Sequence, residues 1–272
     1  MSGSDVGFVG FSVLAFVLMS LAMTLAWAIQ RVTGNSGWID TIWSSATGLV
    51  ALTVVGLSRP MTSHRWAIAL LVALWAARLA WHIGDRTRQT ADDPRYRALI
   101  RRWGGTARWK LWSFLQVQAA AGAVLVLCIL VAASKPGETG LWDMTCYGLA
   151  LAALIGESTA DKQLRTFKAQ RQAHPAILET GLWGLSRHPN YFFEWLFWAA
   201  ISLSALSFKP SFWEGWLTLI APGMMYVVLV HGSGVPHSEA HMLRTRGESF
   251  ASYQKRVPKF FPDVTRLLRR RV

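Results

Sequence analysis

Seven stretches of this 272-residue chain stay apolar for about the length needed to cross a bilayer, and they constrain the fold more than any other feature. They run Phe8–Ile29, Ile39–Leu57, Trp66–Ile83, Trp112–Ala133, Trp142–Thr159, Tyr191–Ser207 and Phe212–Val230. A hydrocarbon core about 30 Å thick needs about 20 helical residues, and each backbone polar group inside it must be satisfied within the protein. The spacing therefore predicts an all-α integral membrane protein with seven transmembrane helices. Trp38, Trp66, Trp112, Trp142 and Trp213, at or near the ends, fit an interfacial aromatic belt. The second and sixth stretches are short, so tilt or a broken helix is expected there.

Charge gives an orientation. Of 28 Lys and Arg residues, 22 lie in Asp85–Lys110, Asp161–Pro189 and His237–Val272, which follow the third, fifth and seventh stretches. The opposite loops hold Arg59, Arg65, Lys135 and Lys209. The positive-inside rule then puts the N-terminus outside and the C-terminus in the cytoplasm. In a chain with such spans, the net charge of +13 is read as facing anionic lipid or an anionic ligand, and nucleic acid is set aside. Phe8–Ile29 has no basic run before it and outlasts a signal sequence's apolar region, so it reads as a retained span. Cys128 and Cys146 sit in apolar stretches and read as packing residues, which leaves no disulfide scaffold and no Cys-rich metal site, and no metal is expected. No repeat or linker interrupts the chain, and one domain over residues 1–272 is expected.

Three polar stretches stand out. In Gly156–Lys168, Glu157, Asp161, Arg165 and Lys168 recur at spacings of four, four and three, one face of a helix. That face is either a solvated end held by ion pairs or a stripe offering carboxylates to hydroxyls and amides and cations to phosphate. In Glu179–Glu194, Gly181 and Gly184 permit close backbone approach, Arg187 and His188 precede Pro189, and Asn190 and Glu194 open a span. Asn190 either caps that helix, with Arg187 and His188 snorkelling to headgroups, or it binds a ligand with Glu194. The tail from His237 to Pro262 mixes cations with Phe250, Tyr253 and Phe260, which suits a membrane-surface helix or a nucleotide. Arg269–Arg271 reads as a lipid-facing cluster. No dinucleotide-binding glycine motif, P-loop, zinc-protease motif or nucleophile elbow is present.

The run Thr180-Gly-Leu-Trp-x-x-Ser-Arg-His-Pro-Asn-Tyr-x-x-Glu194, followed by Tyr253-x-x-x-Val-Pro-x-Phe-x-Pro262, resembles the C-terminal region of the steroid 5-alpha-reductase family, and its bacterial branch most. The likeness covers about Leu149–Asp263. It implies a monomeric NADPH-dependent reductase in a bacterial inner membrane, working on the cytoplasmic side. It would reduce an activated C=C bond of a steroid-like or other apolar lipid that enters from the bilayer. Residues of about 1–133 would then form the substrate pocket and residues of about 149–263 the cofactor site. The resemblance places cofactor contacts at Glu157, Asp161, Arg165, Lys168, Trp183, Arg187, His188, Asn190, Tyr191, Glu194, Glu239, Tyr253 and Arg256. Glu157 departs from the family's Asn.

The family also uses a carboxylic acid in the second span and a tyrosine near the end of the third. The nearest residues here are Asp40 and His82, and neither is the family residue. Asp40 reads either as a buried acid or as a helix cap before Thr41. His82 reads either as an acid or as an interfacial histidine above Asp85, and Arg78 and Arg86, one helical turn to either side, are alternatively read as completing the phosphate site. Membrane methyltransferases that use S-adenosylmethionine, including isoprenylcysteine carboxyl methyltransferases, share the Arg-His-Pro-x-Tyr core and are the rival family. The Asn190 and Glu194 pair and the basic loops favour the reductase.

Overall fold

Long apolar runs, only one of them broken by an interior proline, leave the backbone only its own carbonyls to bond, and among the described residues the regular structure is all helical. The computed structural model describes residues 3–58, 60–170, 177–207 and 210–266; Arg59, Lys209 and Arg269–Arg271 lie outside the described residues. The α-helices are α1 (Gly3–Thr33), α2 (Gly37–Ser58), α3 (Ser63–Arg88), α4 (Pro94–Trp103), α5 (Ala107–Ala133), α6 (Leu141–Ala169), α7 (Pro189–Ala205), α8 (Ile220–Tyr226), α9 (Val235–Arg246) and α10 (Glu248–Arg256). Among the described residues, five stretches are long and apolar enough to cross a membrane: Gly7–Thr33, Gly37–Ser58, Ser63–Arg88, Pro94–Ala133 and Ser211–Arg246. Leu21, Leu49 and Leu70 each expose more than 60% of their surface, which is tolerable in lipid and not in water. The protein is an all-α membrane protein.

Helices α6 and α7 carry the fifth and sixth expected segments but are not among those five. At 17 residues α7 reaches only about 25 Å. The seventh expected segment is not one α-helix. It is a 3₁₀ stretch Pro210–Leu219 with a kink at Phe212, then α8, then a π-helical turn Val227–Gly232. Pro222 lacks a backbone donor, and Gly223, Gly232 and Gly234 weaken the helix further, so the ladder slips register there.

Two compact units divide the chain, one of residues 1–147 with 201–221 and one of residues 148–200 with 222–272. In the first, α2 packs on α3, and α1 packs on α2 and α5. The buried face of α1 is Ala15, Met19, Met23 and Ala26, a helical spacing of four, four and three. Between α2 and α3 the backbones approach closely at Gly48, where an added Cβ would lie 2.2 Å from the Ala76 Cβ. Small residues set such helix contacts in lipid, where apolar burial alone gives little preference.

One end of this unit is tied by buried polar groups. Arg65 donates to the Val55 carbonyl, to Ser58 Oγ and to the Ala133 carbonyl. His64 Nε2 meets the Ala132 carbonyl at 2.9 Å, and its Nδ1 pairs with the Tyr147 hydroxyl. Lys135 Nζ donates to Asp143 at 2.7 Å and to the Ser204 carbonyl at 2.9 Å. These bonds satisfy helix-end carbonyls that lipid could not. Both cysteines are buried and unpaired.

Candidate functional site

In the second unit the polar stripe of α6 divides by charge. Glu157 and Asp161 are buried, and Arg165 and Lys168 are exposed. Arg165 has no ion-pair partner among the described residues, so the expected Asp161–Arg165 pair of a self-sufficient helix end does not form.

Asn190 follows Pro189 in the first turn of α7 and is therefore not its cap. Its Nδ2 donates to Asp161 Oδ1 at 3.2 Å, while its Oδ1 is buried with no hydrogen-bond partner. An unpaired buried acceptor is costly, and a ligand N–H would relieve it. Four residues on, Glu194 is buried and accepts from Trp198 Nε1 at 2.9 Å. The loop before α7 is seated on α6. Trp183 Nε1 donates to the Ala160 carbonyl at 3.0 Å, and Leu182 N donates to Gln163 Oε1 at 3.1 Å. Gly181 has φ +59°, where any side chain is strained, and a Cβ there would lie 2.6 Å from the Gln163 amide and push it aside.

Five of the expected cofactor residues are occupied in a clasp that joins this loop to the tail. Arg187 Nε donates to Glu239 Oε1 at 2.8 Å, and its Nη1 reaches the carbonyls of Gln254 at 2.9 Å and Val257 at 2.6 Å. His188 Nε2 lies 3.1 Å from the same Glu239 oxygen, and the other takes Gln254 Nε2 at 2.7 Å. Tyr253 donates its hydroxyl to the Trp183 carbonyl at 2.6 Å. Arg256 grips Glu179 bidentately at the surface, at 2.7 and 2.8 Å. The snorkelling alternative for Arg187 and His188 is not realised, since both are buried on protein partners. Tyr191 stacks flat on His188, with ring centres 5.5 Å apart.

Burial holds the His188 imidazole below the usual histidine range, and the Glu239 carboxylate beside it only partly offsets this. The neutral ring then donates Nε2–H to Glu239. The folded state resists protonation and the unfolded chain does not, so this contribution is complete above the unfolded value of 6.5 and shrinks as pH falls below it. Acidifying from about pH 7 to about pH 5 should lower the thermal midpoint of the wild type more than that of His188→Gln, which keeps an N–H donor without the titration. Equal losses in the two proteins would remove His188 as the cause.

In the first unit Asp40 stands in the first turn of α2 and accepts from Arg95 and, at 2.7 Å, from the Tyr96 hydroxyl. It serves these partners instead of capping the helix. Gln118 Nε2 donates to the Tyr96 oxygen at 3.0 Å, and the tyrosine is 4% exposed. Arg95 also grips Asp93, the N-cap of α4. Burial works against the Asp93 charge, but the Arg95 hydrogen bonds outweigh it and keep that carboxyl below its usual range. His82 lies partly buried on α3 and is not a partner of Asp40. The sequence reading missed Tyr96, which lies beyond the end of α3. Its signal was present in Asp93-Pro94-Arg-Tyr96, where a capping Asp and an N1 proline start a short amphipathic helix.

Among the described residues, no group of His, Cys, Asp and Glu could hold a metal ion. A family model described as a protein of unknown function (DUF1295) matches residues 26–257. The chain is similar to the uncharacterized protein C594.04c of Schizosaccharomyces pombe, at 22% identity over 283 residues that cover 93% of this chain and 80% of that protein. No solved structure matches it. With most of its length inside that family model, the chain belongs to the DUF1295 family.

Proposed function

We propose that this protein is an NADPH-dependent membrane reductase that transfers a hydride to an activated C=C bond of an apolar, steroid-like or other lipid substrate. The observation that carries the reading is the buried, unpaired Asn190 Oδ1 beside Asp161, which suits the N–H of a carboxamide such as that of nicotinamide. The family to which the chain belongs includes steroid 5-alpha-reductase-like members. The reading keeps seven spans, an outside N-terminus and a cytoplasmic active side.

Residues of the second unit take the binding roles. Asn190, Asp161 and Glu194 hold the polar end of the dinucleotide, and exposed Arg165 and Lys168 offer charge to its phosphates. Arg187, His188, Glu239, Tyr253 and Arg256 act as positioning residues through the clasp. NADPH supplies the hydride when bound.

In the first unit the acid role moves from Asp40 or His82 to a pair. Reduction of an enone adds hydride at the β-carbon and a proton at the α-carbon, by way of an enolate whose oxygen needs a hydrogen-bond donor. The Tyr96 hydroxyl is that donor once its single O–H turns from Asp40 to the enolate oxygen, and solvent supplies the proton that the α-carbon takes as the enol returns to the ketone. Asp40 and Gln118 orient it, and Arg95 keeps Asp40 an acceptor.

Titration of the purified full chain with NADPH, NADH and S-adenosylmethionine tests the reading. NADPH should bind tightest. Asn190→Ala should weaken it by about 1–3 kcal/mol, roughly 5- to 150-fold, with the thermal midpoint little changed. Binding of S-adenosylmethionine that NADPH does not displace would replace this reading with the methyltransferase one.

A further inference from the structure

A small cleft of about 170 Å³ opens where the end of α1 meets the start of α5, lined by Gln30, Arg31 and Arg108 at its rim and by Ile100, Ala107 and Leu111. We propose that it binds the phosphate of an anionic phospholipid headgroup. The inference depends on the membrane setting and not on the reductase reading.

Arg108 is already shaped for this task. Its guanidinium lies over the rings of Trp27, at 5.6 Å, and Trp109, at 5.0 Å. The two indoles stack at 6.3 Å, and Trp27 Nε1 donates to the Arg108 carbonyl at 3.1 Å. Cation–π contact uses the flat face of a guanidinium and leaves its N–H edges for another partner. Neither Arg108 nor Arg31 has a carboxylate partner among the described residues. Two unneutralised cations at one rim, one of them held in a fixed orientation, favour a phosphate that accepts paired hydrogen bonds.

Size and position select a lipid over a free anion. Pockets for whole small ligands measure about 300–1,000 Å³, so a cleft of this volume takes a headgroup and leaves the rest of the molecule outside. The rest has somewhere to go. α1 and α5 are both long, apolar helices, and Leu25 and Val32 on α1 are 56% and 87% exposed. Trp109, which carries the Arg108 guanidinium on its ring and is 63% exposed, is of the type that sits at headgroup level. Leu111, 2% exposed, gives the cleft an apolar floor that a free phosphate would not use.

Native mass spectrometry of the detergent-solubilised full chain, titrated with short-chain phosphatidylglycerol, phosphatidylcholine and inorganic phosphate, tests the proposal. One phosphatidylglycerol should be retained about tenfold or more tightly than phosphatidylcholine, and inorganic phosphate should not displace it. The double variant Arg31→Gln/Arg108→Gln should lose that preference, while Arg101→Gln/Arg102→Gln, on exposed α4 positions, should keep it. Arg108→Lys should weaken retention despite its charge, because the planar fork is lost. Any of four results overturns the proposal: equal retention of the two lipids, displacement by inorganic phosphate or NADPH, retention by the cleft variant, or equal loss in the α4 control.

Discussion

Arg187→Ala should destabilise the second unit by about 3–5 kcal/mol, because it breaks one partner out of a buried ion pair and leaves the other charged. Arg187 is 8% exposed and donates to Glu239 and to the carbonyls of Gln254 and Val257. Its removal strands two carbonyls and leaves Glu239 with His188 and Gln254 alone. Lysine would not restore the site, since an ammonium cannot reach three acceptors along a guanidinium's plane. The contrast is Arg256→Ala. That bridge to Glu179 is 49% and 36% exposed, so its loss should cost about 0–1 kcal/mol. Limited proteolysis should show new cuts between His237 and Arg266 in Arg187→Ala and few in Arg256→Ala. Equal resistance in both variants would mean that the clasp does not hold the tail.

Tyr96→Phe should lower kcat by about 10²- to 10⁴-fold on an enone substrate while leaving NADPH affinity unchanged. The substitution removes only the hydroxyl that donates to Asp40 and accepts from Gln118. Asp40→Asn should also slow turnover, and it should shift the pH profile, because an amide holds the phenol differently from a carboxylate paired with Arg95. A purely structural role would lower NADPH affinity and thermal midpoint together. Full activity in Tyr96→Phe would place the donor elsewhere and leave the cofactor assignment standing.

The helical class was legible because each apolar run reports its own length and needs no distant partner. The break at Val227–Gly232 was less so, since hydropathy counts Pro222 and Gly223 as unremarkable while the hydrogen-bond ladder does not. Asn190 and Asp161 could be paired by motif, and the structure gives them a hydrogen bond. Arg187 and His188 show the opposite case. Their partners lie 51 to 70 residues away, so nothing in the sequence near residue 187 tells a ligand-facing arginine from one tied to a tail. Tyr96 was hidden by its place in a basic stretch, where a single tyrosine reads as surface.

The Arg65 contacts carry a consequence for motion. A single guanidinium near the start of α3 holds the last carbonyls of α2 and α5, and its neighbour His64 secures α5 and the beginning of α6. α2 and α3 are fastened at their opposite end as well, where Asn35, just before α2, donates to the Thr87 carbonyl at 3.0 Å. A bulky guest parting these two helices would find both ends held and would have to enter along their length.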